Sequence, residues 1–222
     1  RKGFNYLPSS QKEADIVEEI LSAKNVKYIR FSGADASEDS FKSLSSRAQE
    51  LIHIATHGFY IQDYYSAKER IGFADFFDEY SSYLNSLMYR CGLMFSGCNH
   101  VWLNEEQKPL GNDGILTAAE VAVMDLADCD LVVLSACQTA LGIIKDSEGV
   151  YGLQRAFKMA GVKSIIMSLW EVSDEATMYF MTSFYSHWAN GMELHDAFNI
   201  AKKEMKDTFE DPYYWASFVL LD

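Results

Sequence analysis

Two short motifs in this 222-residue chain hold side chains that can do nucleophilic chemistry. His57-Gly58 follows the apolar run Leu51-Ile52-His53-Ile54-Ala55-Thr56, and Cys137 sits in Ser135-Ala136-Cys137-Gln138-Thr139, directly after Leu131-Val132-Val133-Leu134. A thiol is mostly protonated at neutral pH, and a neighbouring imidazole raises the thiolate fraction that attacks a carbonyl. As general base, His57 would take the thiol proton; as general acid, it would return it to a leaving amine. Gly58 and Ala136 leave a substrate backbone room to approach, and the amides of Gly58 and Cys137 could face a developing oxyanion.

The elements that must position these groups are legible in outline. Each apolar run is short, rich in Ile, Val and Leu, and ends abruptly in small or polar residues, as a buried parallel strand does. Catalytic groups in open α/β sheets gather at the carboxyl ends of such strands. Upstream, Ser10-Gln11-Lys12-Glu13 has the form of a capping box, and Ile16, Val17, Ile20 and Leu21 recur at helical spacing. The pattern then predicts a strand at 26–31, a helix at 41–50 and the strand at 51–56 that delivers His57. An insertion around residues 60–112 breaks the rhythm, tyrosine-rich and acidic over 63–90 and apolar at 91–96. Its position suits a segment that shapes substrate access or a surface excursion. Thr117-Ala118-Ala119-Glu120 is a second capping box. Helices are expected near 149–160, 174–188 and 193–209, with strands at 163–169 and 215–221. Strands alternating with helices imply right-handed crossovers and an α/β fold, a three-layer α/β/α sandwich with a mostly parallel sheet.

The motifs resemble those of the CHAT domain family, relatives of the caspase-like cysteine peptidases that include separases, gingipains and legumains. The resemblance rests on His53-Ile54-Ala55-Thr56-His57-Gly58-Phe59, Asp113-Gly114-Ile115-Leu116-Thr117-Ala118-Ala119-Glu120 and Leu134-Ser135-Ala136-Cys137-Gln138-Thr139-Ala140-Leu141-Gly142. It continues in Glu148-Gly149-Val150-Tyr151-Gly152-Leu153, Ser168-Leu169-Trp170-Glu171-Val172-Ser173-Asp174 and Tyr214-Trp215-Ala216-Ser217-Phe218-Val219-Leu220, so ordered blocks span nearly the whole chain. Thr139 stands where the caspase motif has Gly, which makes the chain a relative of caspases and not one of them. The resemblance implies a caspase-like sandwich, a His57–Cys137 dyad and cysteine endopeptidase activity without a metal or other cofactor. In separase-like relatives an acid after the next strand receives a basic residue preceding the cut, and Asp174 matches that place. Glu148 and Asp113 lie in family-like blocks and could also face the cleft. Ser173-Asp174-Glu175 equally fits a helix start, with Ser173 as cap and both acids near the positive end of the dipole.

Composition narrows the function classes. With 49% hydrophobic residues and 3 Pro, residues 1–222 read as one domain. The chain begins at Arg1, and the resemblance implies a fragment whose parent carries upstream helical repeats of the tetratricopeptide type, acting as sensor or scaffold. A formal net charge of −13 argues against direct nucleic-acid binding and favours basic partners, or serves only solubility. No apolar run reaches the roughly 18 residues of a membrane span, and no signal peptide is recognisable. The cysteines at 91, 98, 129 and 137 have neither zinc spacing nor a dense disulfide framework, so reduced thiols in a cytoplasmic protein are expected. His53 lies four residues before His57, which in one strand would place both rings on one face. That pair lacks a third ligand for a metal, and local packing of His53 is expected instead. His100, His187 and His195 carry no catalytic expectation. Two further readings stand beside the endopeptidase that cleaves protein substrates. One is a catalytically silent CHAT-like scaffold; the other is a thiol hydrolase or acyltransferase with a different acyl group.

Overall fold

A computed structural model describes residues 3–61, 88–103, 112–135, 148–170 and 172–222. In chain order the strands are β1 (Leu51–Ile54), β2 (His57–Tyr60), β3 (Cys91–Met94), β4 (Ile115–Thr117), β5 (Leu131–Leu134), β6 (Ser164–Ser168) and β7 (Phe218–Leu221). The helices are α1 (Pro8–Ala23), α2 (Glu38–Lys42), α3 (Cys98–Trp102), α4 (Ala118–Ala122), α5 (Glu148–Met159), α6 (Asp174–Ala189), α7 (Leu194–Thr208) and α8 (Pro212–Trp215).

The main sheet has the order β1-β5-β6-β7. β1, β5 and β6 run parallel, in register Ile54↔Leu134 and Leu134↔Met167, and β7 closes the edge antiparallel to β6. Because side chains alternate across a strand, each strand feeds two cores. Ile52, Ile54, Val132, Leu134, Ile165 and Met167 pack with residues of α4 and α5, among them Val121, Leu153 and Phe157. Leu131, Val133, Ile166 and Phe218 pack on the opposite face with α1, α6 and α7. Phe180 stacks on Phe218 with ring centroids 4.2 Å apart, joining helix to sheet. The expected α/β architecture with helices on both faces is present, with a mixed rather than uniformly parallel arrangement. A second sheet, β2-β3-β4, is antiparallel throughout.

Several local expectations are corrected. Residues 26–31 join no β-ladder. Their side chains are drawn to α1 instead: Arg30 pairs with Asp15 at 2.8 Å and with Glu18, and the Tyr28 hydroxyl donates to Glu18 at 2.7 Å. The helix expected at 41–50 is the shorter α2. Ser43 Oγ donates back to the Ser40 carbonyl at 2.8 Å, and Ser46 takes a positive φ of 58°, so the serine run competes with helix continuation. Residues 212–215 are the helical turn α8, and the final strand starts at Phe218. The Ser10 capping box does not form. α1 starts at Pro8, whose missing N–H suits a first turn, and Glu13 turns into the core. The second box does form: Thr117 Oγ1 accepts from the Glu120 N–H at 3.2 Å, and Glu120 accepts from the Thr117 N–H at 2.9 Å. Among the described residues no helix is long and apolar enough to cross a membrane.

Candidate active site

β1 ends at Ile54 and the chain turns through Ala55 and Thr56, so His57 is the first residue of β2, opposite Met94, rather than the tail of the parallel strand. The half-buried imidazole therefore stands at the junction of the two sheets, and the buried Gly58 follows it opposite Leu93. This geometry also undoes the idea that His53 and His57 share a strand face. The two rings have different surroundings.

The His57 ring meets the amino-terminal segment. Its Nε2–H donates to the Asn5 carbonyl at 2.7 Å, and the Phe4 ring lies against it at 5.2 Å. Since a carbonyl can only accept, Nε2 carries a proton in this contact. Phe4 is clamped by Asn99, which accepts from the Phe4 N–H and donates to the Phe4 carbonyl, both at 2.8 Å. A cleft of about 1220 Å³ opens beside these groups, lined by His57, Thr56, Asn5 and Asn99 and continuing along residues 26–31 and β1.

His53 points into a buried polar chain. Its Nδ1 is 2.8 Å from the Tyr185 hydroxyl, and its Nε2 is 3.0 Å from Glu13 Oε1 without an aligned hydrogen bond. Ser135 Oγ donates to the other Glu13 oxygen at 2.7 Å. Burial, and secondarily the Glu13 charge, push the Tyr185 hydroxyl well above its ordinary value, so it remains protonated. Four elements, α1, β1, β5 and α6, thus meet through polar groups at the carboxyl end of β5. Cys137 follows Ser135 by two residues; it lies outside the described residues, as does the side chain of Glu148.

Asp174 opens α6, where Ser173 caps the helix by accepting from the Ala176 N–H at 3.3 Å. Ser9, in the first turn of α1, donates to Asp174 Oδ2. The same amino-terminal stretch consequently touches His57 through Asn5, Asp174 through Ser9, and Ser135 through Glu13. Asp113 belongs to a different corner. Its Oδ1 accepts from the Ile115 N–H at 2.8 Å, and burial raises its carboxyl above the ordinary value. Sequence reasoning missed Phe4, Asn5 and Asn99 because short-range patterns do not encode a contact 95 residues apart. Glu13 was visible only as a capping residue.

The other described thiols are poor nucleophiles. Cys91, Cys98 and Cys129 are buried thiols. Burial pushes Cys91 up to about 12 and Cys98 and Cys129 up to about 11. Among the described residues no group of three or more His, Cys, Asp or Glu is placed to hold a metal ion.

Comparison with known proteins gives a consistent frame. A sequence model of the CHAT domain matches residues 1–221. Over 109 residues, 48% of this chain, the sequence is 35% identical to "Tetratricopeptide repeat protein 28" of Mus musculus and 36% identical to the protein of the same name from Homo sapiens. The match covers 4% of each of those proteins, so the chain spans a small fraction of their length.

Proposed function

The chain belongs to the CHAT domain family, and from that premise we propose that it is a cysteine endopeptidase with Cys137 as nucleophile and His57 as general base and acid. The observation that carries this reading is the pairing of β1 with β5. Ile54 and Leu134 are register partners in adjacent parallel strands, and Ser135 N–H donates to the Ile54 carbonyl at 2.9 Å. His57 and Cys137 each follow those partners by three residues in sequence, and adjacent parallel strands thus end side by side just ahead of both motifs, at the carboxyl ends where α/β folds build their sites.

In this reaction His57 removes the Cys137 proton, the thiolate adds to the scissile carbonyl, and the oxyanion is met by the amides of Gly58 and Cys137. Collapse of the tetrahedral intermediate expels the amine, which takes the proton from His57 and leaves a thioester. Water, deprotonated by the same imidazole, hydrolyses the thioester and restores the thiol. Asp174 is the proposed acid for a basic residue before the cut, with Glu148 as a further acidic group of the substrate cleft; Asp113, in its different corner, is not part of it. The buried thiols at 91, 98 and 129 fit a reducing, cytoplasmic setting. Residues 1–222 act as one peptidase domain, and the names of the relatives support a parent carrying upstream tetratricopeptide repeats, which would be placed to control it.

The test is cleavage of a peptide library varied at the residue before the scissile bond, run on this chain and on its longer parent. Activity that Cys137→Ala abolishes supports the peptidase, and a preference for Arg or Lys that Asp174→Ala removes supports the pocket. Cleavage that survives Cys137→Ala overturns the nucleophile. Silence of both proteins, with no His57-dependent reactivity of Cys137 toward a peptide electrophile, moves the assignment to a scaffold.

A further inference from the structure

The contacts of the amino-terminal segment have the form of peptide recognition. Asn99 engages the Phe4 main chain through a donor–acceptor pair at 2.8 Å each, which reads backbone irrespective of side chain. The Phe4 ring selects by chemistry: it meets Trp102 at 5.2 Å and His57 at 5.2 Å, and Phe59 packs on Trp102 at 5.9 Å. Cys98 and Met94 complete the apolar floor. A Cβ at Gly3 would come 3.0 Å from Asn99 Oδ1 and press on the clamp, so a small residue before the aromatic one is favoured. The carbonyl that follows, that of Asn5, then lands on His57 Nε2.

We propose that Asn99, Trp102, Phe59 and His57 form a recognition site for an aromatic residue in an extended peptide, and that Phe4 fills it in cis. The filled site caps the imidazole. Phe4 is only partly buried and Tyr6 is 71% exposed, so one ring and a few hydrogen bonds hold the segment before α1 begins. Ser9 on Asp174 and Glu13 on Ser135 then anchor the helix at successive turns, so displacement of the strap is confined to residues ahead of Pro8. The site can exchange its cis occupant for a peptide that presents a small residue followed by an aromatic one. That this exchange regulates cleavage rests on the peptidase reading; the binding site itself does not.

The test uses the 222-residue chain carrying Cys137→Ala, which separates binding from catalysis, with the His57 imidazole followed by NMR. Phe4→Ala is expected to shift the His57 resonances, and added acetyl-Gly-Phe-Asn-Tyr-amide to return them toward their original positions. Replacing Phe by Ala in that peptide, or adding Asn99→Ala to the protein, should weaken binding by about tenfold or more. With Phe4 in place the same peptide should cause no shift. Thermal unfolding verifies that each variant is folded, and Asn99→Ala alone, which leaves the apolar set intact, should also move the His57 resonances. Unchanged His57 resonances in both folded variants overturn the cap. A shift in Phe4→Ala without peptide binding overturns the recognition site. If binding behaves as expected while Cys137 of the native chain shows no His57-dependent reactivity, the peptidase reading fails and the site stands.

Discussion

At the scale of single residues, the thiols divide by environment. A thiol raised to about 11 or 12, as at Cys91, Cys98 and Cys129, holds only about one part in ten thousand or less as thiolate at pH 7. Iodoacetamide at pH 7 should therefore alkylate Cys137 of the folded chain and leave these three untouched, and His57→Ala should slow the Cys137 reaction. Peptide mass mapping of the modified protein decides this; comparable labelling of a buried cysteine would contradict the packing described above. Glu13 poses the opposite case, a buried acid that must stay partnered. Glu13→Ala strands His53 Nε2 and Ser135 Oγ together, and should cost about 3 kcal/mol in urea unfolding. Glu13→Gln keeps one acceptor for Ser135 and should cost less. A near-neutral Glu13→Ala would show that the polar chain does not hold α1 to the sheet.

At the scale of elements, the antiparallel sheet that carries His57 depends on close approach. A Cβ at Gly92 would lie 2.1 Å from the Leu116 carbonyl oxygen and 2.6 Å from the Phe59 ring, and β3 is held on both sides. Gly92→Ala should destabilise the chain by about 3 kcal/mol or more, read from the denaturation midpoint, because neither backbone can yield. The pairing of α6 with α7 has an acid limit. Ser183 donates to Glu204 at 2.5 Å and His187 lies 3.0 Å from it; the Ser183 bond first, and His187 after it, hold the Glu204 carboxyl below its ordinary 4.5. A depressed carboxyl contributes stability that is present above the unfolded value and is lost as pH falls through the folded one. Unfolding midpoints should thus decline below about pH 4.5, and Ser183→Ala should reduce the slope by less than about 1 kcal/mol in total, since the pair is partly solvated. A slope identical in Ser183→Ala would assign acid sensitivity to other carboxylates. These elements also show where sequence reading succeeds. The runs at 131–134 and 164–168 are buried on both faces and announce themselves as strands by composition, and Thr117-x-x-Glu120 caps a helix as its spacing says. Residues 26–31 read as a strand, with Val, Tyr, Ile and Phe among six residues, yet Tyr28 and Arg30 find α1 carboxylates, a choice made by tertiary neighbours. The same holds for the site. His57 was legible from the motif after its strand, whereas its Asn5 and Phe4 partners and the Asn99 clamp depend on how distant segments meet.

At the scale of the whole molecule, charge acts independently of any one pocket. A formal net charge of −13 gives the whole protein a negative field that would favour approach of cationic peptides and is screened by salt over about 8 Å at physiological ionic strength. Asp174 is exposed in the free chain, and an ion pair that a bound substrate desolvates there would be screened much less. The two contributions can be separated on substrates that carry extra lysines away from the scissile bond. If the chain cleaves peptides as proposed, kcat/KM for such substrates should fall as salt rises from about 0.05 M to about 0.5 M, and the decline should persist in Asp174→Ala, which on the proposed role of that acid removes only the preference at the residue before the cut. A neutral peptide with one Arg before the cut should show the reverse pattern, with little salt dependence and a large loss in Asp174→Ala. If salt leaves both substrates unaffected, the acidic surface serves solubility and recognition is local. If Asp174→Ala abolishes the salt dependence of the lysine-rich peptide, the field is carried by that one carboxylate, and the remaining acids do not steer the substrate.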